Sequence, residues 1–221
     1  VKPNLLHICF VLDESGSMLG SYDDVLGGFK KLIEEQKNVE EGECVVSLYR
    51  FATEVKKDYI GLPIQEVSEL VYSPSGLTAM NDGIGIAIDE IGKWLNDMNE
   101  SERPSKNLIV IMTDGAENHS KKYSFERVKN MIKHQEEKYN WSFVYMGTDI
   151  SSFDDVEALG ITLRSASGRD NVMSNYTHIN TYATAYRCSV SEVDRCASLA
   201  NLNDKLASDT VEYQATLDTI L

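Results

Sequence analysis

The chain has no run of about 18 apolar residues, the length a bilayer-crossing helix needs, and its first residues show no basic segment leading into an apolar stretch and a cleavage site. Both absences point to a soluble, cytoplasmic protein with no membrane partner. Cysteine is scarce as well. Cys9 and Cys44 fall inside apolar, strand-like segments where a thiol packs as a small hydrophobe, and Cys188 and Cys196 follow at uneven spacing. That pattern argues against a disulfide-stapled scaffold and suits a reducing compartment, with a Cys188–Cys196 pair as the alternative if the chain between them folds back. The few prolines are scattered and mark no linker. Basic residues are in deficit, 21 against 35 acidic ones for a net charge of −14, so a nucleic acid would meet repulsion in place of counterion release. The same charge leads us to expect that a protein partner presents a basic rim around a local acidic contact. His7, His119, His134 and His178 have no metal-ligand spacing, and no Gly-x-x-x-x-Gly-Lys-Ser/Thr sequence offers a nucleotide loop.

What is present is a chain of 221 residues, 42% apolar, in which buried-looking strands alternate with helical stripes. A single domain of that length buries roughly 70% of its unfolded surface. Residues 5–12 are almost continuously apolar, as a parallel strand covered on both faces must be. Tyr22 to Lys37 reads as a helix with Val25, Phe29, Leu32 and Ile33 on one stripe, and Asp23 and Asp24 in its first turn complement the helix dipole. Cys44 to Ala52 reads as a second strand, and Thr53 to Ile60 as an antiparallel edge guarded by Lys56 and Lys57. A helical stripe from Ile84 to Met98, a strand from Lys106 to Met112, a helix from Ser124 to Tyr139 and a strand from Trp141 to Met146 follow. A short helix near Asp154 to Leu159 then leads to a strand at Ile161 to Leu163. This alternation predicts an α/β fold: a doubly wound, mostly parallel central sheet of about six strands with helices on both faces, Rossmann-like in style. Asn171 to Arg187, Ser189 to Leu206 and Thr210 to Leu221 read as three further helices with thinner apolar stripes. We therefore divide the chain into a domain at 1–187 and a C-terminal helical extension at 188–221 packed on or beside it.

The first strand runs directly into Asp13-Glu14-Ser15-Gly16-Ser17. In extended backbone, alternate side chains point the same way, so Asp13, Ser15 and Ser17 can converge. All three offer oxygen. Hard ligands without His or Cys favour Mg²⁺, with Mn²⁺ or Ca²⁺ as alternatives, over zinc or copper, and Mg²⁺ in particular tolerates few carboxylates and several retained waters. Two more segments should reach the same end of the sheet: Ser75-Gly76-Leu77-Thr78-Ala79-Met80, and the strand ending Thr113-Asp114-Gly115. Taken singly, the serines and Thr78 are helix caps and Asp114-Gly115 is a turn. Their order, each beside a buried strand, makes them one site.

With Asp13, Ser15, Ser17, Thr78 and Asp114 in this order, the chain resembles the von Willebrand factor A domain family over residues 5 to about 165. The resemblance implies a metal-ion-dependent adhesion site in which Ser15 and Ser17 bind the ion directly and Asp13 and Asp114 act mostly through water. Thr78 would join in the ligand-competent arrangement. Neutral hydroxyls leave a divalent ion electropositive, so the implied function is a metal-dependent protein–protein interaction module whose ion coordinates an Asp or Glu of a partner protein, in a bacterial or phage setting. The resemblance implies no enzyme. The alternative is a Mg²⁺-dependent hydrolase or phosphotransferase with Asp13 as nucleophile and Lys121 or Lys122 neutralising phosphate, although position 15 then lacks the second carboxylate such enzymes use. Glu117 is expected on the rim of the site, where it would shape partner choice.

Overall fold

The computed structural model describes residues 1–147, 157–166 and 172–220. Its elements, in chain order, are β1 (Lys2–Asp13), α1 (Tyr22–Lys37), β2 (Glu43–Phe51), β3 (Val55–Pro63), α2 (Met80–Asp97), β4 (Pro104–Thr113), α3 (Phe125–Tyr139), β5 (Ser142–Gly147), β6 (Leu163–Ala166), α4 (Val172–Cys188) and α5 (Glu192–Ile220). The strands form one six-stranded sheet in the order β3-β2-β1-β4-β5-β6. β1 pairs in parallel with β2 and β4, and β5 and β6 continue the parallel set. Only β3 runs antiparallel, at the edge beside β2.

Strand periodicity sorts β1 between two cores. Leu6, Ile8, Phe10 and Leu12 pack under α1, α4 and part of α5, whereas Cys9 and Val11 face α2 and α3 on the other side. Because both faces are covered, alternation disappears from the sequence and a near-continuous apolar run remains. α1 and α4 approach so closely that a Cβ on Gly28 would lie 2.1 Å from the Tyr176 ring. The other end of that helix pair is tied by Arg187, buried in the last turn of α4, which donates to the Gln36 and Val39 carbonyls at the end of α1. A cation at a helix C-terminus satisfies exposed carbonyls and complements the dipole.

A polar cluster interrupts the core midway along β1. His7, fully buried, donates from Nδ1 to Asn107 Oδ1 at 2.9 Å and accepts at Nε2 from the Ser47 hydroxyl at 2.8 Å, while Ser47 Oγ takes the Gly61 N–H. Burial pulls the imidazole down to about 4, against a small opposing effect of the Asn107 hydrogen bond, so the ring is neutral.

The expected elements are recovered with shifts at the edges. The antiparallel edge runs from Val55 to Pro63 and the last strand from Leu163 to Ala166, each a few residues later than the sequence pattern suggests. Ile161 is buried just before β6 and contributes to the core without strand pairing. The short helix expected from Asp154 lies largely outside the described residues. Beyond α4 the expected two helices are one, spanning Glu192–Ile220. The Ala207-Ser208-Asp209 polar interruption does not break it, because neither Gly nor Pro occurs in it and its side chains find distant partners. Asp209 Oδ2 accepts from Ser174 Oγ at 2.7 Å and lies 2.9 Å from His178 Nε2, both on α4. Thr210 Oγ1 accepts the Ala166 N–H of edge strand β6 at 3.1 Å. Leu202 and Leu206 are buried in the same core as Phe10, so this helix contributes to the globule. Cys9, Cys44, Cys188 and Cys196 are all free thiols. Among the described residues, no helix is long and apolar enough to cross a membrane.

Candidate metal centre

The topology brings the three segments together at the carboxyl end of the sheet, beside the central strands β1 and β4, where ligands of open α/β sheets collect. Asp13 closes β1 with no exposed surface. Its Oδ1 accepts the Ser15 N–H at 2.7 Å and its Oδ2 the Thr113 hydroxyl at 2.5 Å, the latter from the end of the neighbouring strand β4. The Tyr72 hydroxyl binds its main-chain carbonyl at 2.5 Å. Burial pushes the Asp13 carboxyl up to about 6, against the hydrogen bonds from Thr113 and Ser15, and the neighbouring Asp114 adds to the rise. A nearby cation favours the ionised form of such a group.

Ser15 and Ser17 form the next layer, with their Oγ atoms 3.1 Å apart. Ser17 donates to Asp114 Oδ1 at 2.5 Å, which joins the first and third segments across 97 residues of sequence. Thr78 completes the group. A Cβ placed on Gly115 would lie 3.6 Å from both Ser17 Oγ and Thr78 Oγ1, so the missing side chain at position 115 keeps open the place where these hydroxyls gather. All five residues singled out in the sequence therefore meet at one point. Thr78 is buried, 4% exposed. Its backbone exchanges hydrogen bonds with Asn118, donating to Oδ1 at 2.9 Å and accepting the Asn118 N–H at 3.0 Å. It does not cap α2, whose N-cap position is Ala79.

Several residues that hold the centre escaped the sequence reading. Glu14 is buried beside Asp13 and accepts from Arg50 Nη1 at 2.6 Å, from Lys56 Nζ at 3.2 Å and from the Ser73 N–H at 2.8 Å. Arg50 also grips Asp58 with two parallel bonds of 2.7 Å. This network and the main-chain bonds Ser75 N to Glu14 O and Gly16 N to Gly76 O fasten the segment before Thr78 along the first loop. Gly76 adopts φ +83°, a left-handed conformation that a side chain would strain. Glu117, expected on the rim, is spent internally: its carboxylate accepts the N–H groups of Asn81, His119 and Ser120 and the Ser120 hydroxyl. Asp82 accepts the N–H groups of Lys121, Lys122 and Tyr123. An Asp in the first turn of a helix carries no local signal of partners some forty residues away, and Glu117, bound to its near neighbours His119 and Ser120, gives none of its bond to Asn81.

As a donor set, three hydroxyls and two carboxylates suit a hard divalent cation. Among the described residues no group of three or more His, Cys, Asp or Glu is placed to hold a metal, so a soft-ligand or all-carboxylate site does not compete. A family model described as von Willebrand factor type A domain matches residues 7–181. The chain belongs to the von Willebrand factor type A domain family. Domains of this family serve as interaction modules and are generally not enzymes. Comparison with curated protein sequences gives no match. Solved structures share the fold at low identity. The pilus adhesin SpaC of Lactobacillus rhamnosus GG aligns with a TM-score of 0.64 and 14% identity over 85% of this chain and 30% of its own. Proximal thread matrix protein 1 of the mussel byssus, in a structure with a zinc-occupied MIDAS motif, aligns with a TM-score of 0.55 and 18% identity over 83% of this chain and 47% of its own. A von Willebrand factor type A protein from Catenulispora acidiphila gives 0.55 and 12% identity over 84% and 43%. The chain thus spans less than half of each of these relatives.

Proposed function

We propose that this domain is a metal-dependent protein-binding module whose divalent ion, Mg²⁺ by preference, coordinates an Asp or Glu of a partner protein. The observation that carries the reading is the meeting of Ser15, Ser17, Thr78 and Asp114 around the opening at Gly115, with Asp13 buried behind them. Ser15, Ser17 and Thr78 would hold the ion through neutral hydroxyls, and Asp13 and Asp114 would orient those hydroxyls and bound water. The ion supplies a Lewis-acidic position still open to one anionic oxygen. Residues 1–187 are taken as the binding module and 188–221 as an extension packed on it.

The hydrolase or phosphotransferase alternative finds less support. A nucleophilic Asp needs a free oxygen facing its substrate, and both Asp13 oxygens accept hydrogen bonds from Ser15 and Thr113 inside the protein. Lys121 and Lys122 contribute their main chain to Asp82. A cytoplasmic location agrees with the free thiols, whereas the pilus and byssus proteins of similar fold work outside cells, so location is best read from fractionation of the source organism.

The test is capture of protein partners by the immobilised chain in Mg²⁺ and in EDTA, with calorimetric titrations of Mg²⁺, Mn²⁺ and Zn²⁺ beside it. Capture lost in EDTA and restored by Mg²⁺ supports the reading. Equal capture in both overturns it. Zinc belongs in the series because the mussel protein holds it at the corresponding motif; binding of zinc with none of Mg²⁺ or Mn²⁺ would refute the preference for a hard ion.

A further inference from the structure

The surface around the metal centre has a composition unlike the rest of the chain. A quarter of all residues are charged, yet in residues 14–21, 73–79 and 114–120, which carry the centre, every exposed position is Gly, Ala, Ser, Asn or Leu. The acids within these segments are directed inward. Glu14 is paired with Arg50 and Lys56, Asp114 accepts from Ser17, and Glu117 binds main-chain N–H groups. Exposed charge lies outside these segments, at Asp23 and Lys121 along the chain and at Glu54 and Lys56 where β2 turns into β3, Lys56 being paired with Glu14.

Two leucines stand in this neutral zone. Leu19 is 67% exposed and Leu77 47% exposed, and among the described residues they are the only exposed leucines. Leu19 lies two positions after Ser17, and Leu77 immediately precedes Thr78. Their loops touch through the hydrogen bond from Gly16 N to Gly76 O at 3.2 Å. Met18, the neighbour of Leu19, is fully buried, so the turn already has its core anchor and Leu19 is left outside. Single exposed apolar side chains are common and need no explanation. The concentration of both exposed leucines beside the metal hydroxyls, in segments whose exposed positions carry no charge, has a direct one: the ion takes an acid and the leucines take the apolar neighbours of that acid.

We propose that the partner segment is an Asp or Glu set among apolar residues, bound with the carboxylate at the metal and its neighbours against Leu19 and Leu77. This rests on the metal-dependent reading above and adds the sequence class that the site selects. It replaces the basic rim expected from net charge alone. A basic rim would meet no exposed carboxylate in these three segments, so it would lose hydration without gaining an ion pair. Apolar neighbours lose nothing of that kind and gain by covering two leucines.

The experiment uses the full chain, immobilised in Mg²⁺, against displayed heptapeptides with a fixed central Asp and random flanks, with bound peptides eluted by EDTA. The expected pool is enriched in Leu, Ile, Val, Met or Phe beside the Asp. A double variant, Leu19→Ser with Leu77→Ser, should keep the parent's Mg²⁺ affinity in calorimetry yet bind the selected peptides at least about tenfold more weakly, the scale of two leucines' worth of buried apolar area. A pool rich in Lys and Arg, a pool with no flank preference, or equal capture by the double variant would overturn the proposal. Failure of the underlying reading is separable, since it shows in the parent alone: no calorimetric Mg²⁺ binding, or peptides that EDTA does not release. That result would remove both.

Discussion

The loops of the proposed metal centre and helix α5 are held to the same sheet by different means. In the loops, polar groups are matched to partners far away in sequence: Asp13 to Thr113, Glu14 to Arg50 and Ser73, Ser17 to Asp114, Asp82 to the chain at 121–123. α5 rests on two buried leucines and a few side-chain bonds to α4 and β6, with most of its remaining surface exposed. Directional bonds fix positions to fractions of an ångström, which a binding centre needs, whereas apolar burial contributes stability and tolerates sliding. The difference teaches that damage to the two regions should separate into loss of geometry and loss of stability.

The largest expected effect is at Arg50. Arg50→Ala leaves Glu14 and Asp58 without their principal cation, and breaking a buried pair typically costs on the order of 3–5 kcal/mol. Urea unfolding measures that cost, and because Glu14 holds the segment before Thr78, metal affinity should fall with it. Leu206→Ala sharpens the contrast. Removing a buried leucine costs about 2–5 kcal/mol, here toward the lower end because α5 lies at the margin of the core, and calorimetry should find metal affinity unchanged. A loss of metal binding in Leu206→Ala would erase the distinction between the regions.

His7 offers a pH-dependent version of the comparison, since it lies in the middle of β1, six residues before Asp13. Its folded value of about 4 is below the ordinary 6.5, so the unfolded chain binds a proton that the folded chain refuses. The stability this contributes is complete above pH 6.5 and is lost as pH falls through 4, about 3 kcal/mol in all. Proton NMR should place the His7 midpoint near 4 with or without Mg²⁺; a midpoint above 6 would mean that the buried cluster is open to water. The smallest effect is at Thr78. Thr78→Ala removes one hydroxyl and one methyl from a nearly buried site, for about 1 kcal/mol in thermal unfolding, while partner capture should be lost. Retained capture would remove Thr78 from the binding centre.

Legibility in the sequence followed the range of the signal. β1, α1 and β4 were readable because continuous apolar runs and a 3.6-residue stripe are local, and α1 matches its expected bounds at both ends. The convergence of Asp13, Ser15, Ser17, Thr78 and Asp114 was readable because family order ties them together even though Asp13 and Asp114 lie about a hundred residues apart. Glu14, Arg50 and Asp82 were not, because a charged residue's sequence does not disclose whether its partner is water or a distant backbone. The break expected within α5 failed for the related reason that Asp209 and Thr210, which favour turns locally, are satisfied by α4 and β6.

The most direct measurement is calorimetric titration of Mg²⁺ into the parent chain and into Asp13→Ala. The expected result is saturable binding of a single ion by the parent, weakened by on the order of tenfold to a hundredfold in Asp13→Ala, the usual effect of losing a residue that orients metal ligands. Absence of Mg²⁺ and Mn²⁺ binding in the parent, or equal affinity in the two proteins, would contradict a metal centre built on Asp13, Ser15, Ser17, Thr78 and Asp114.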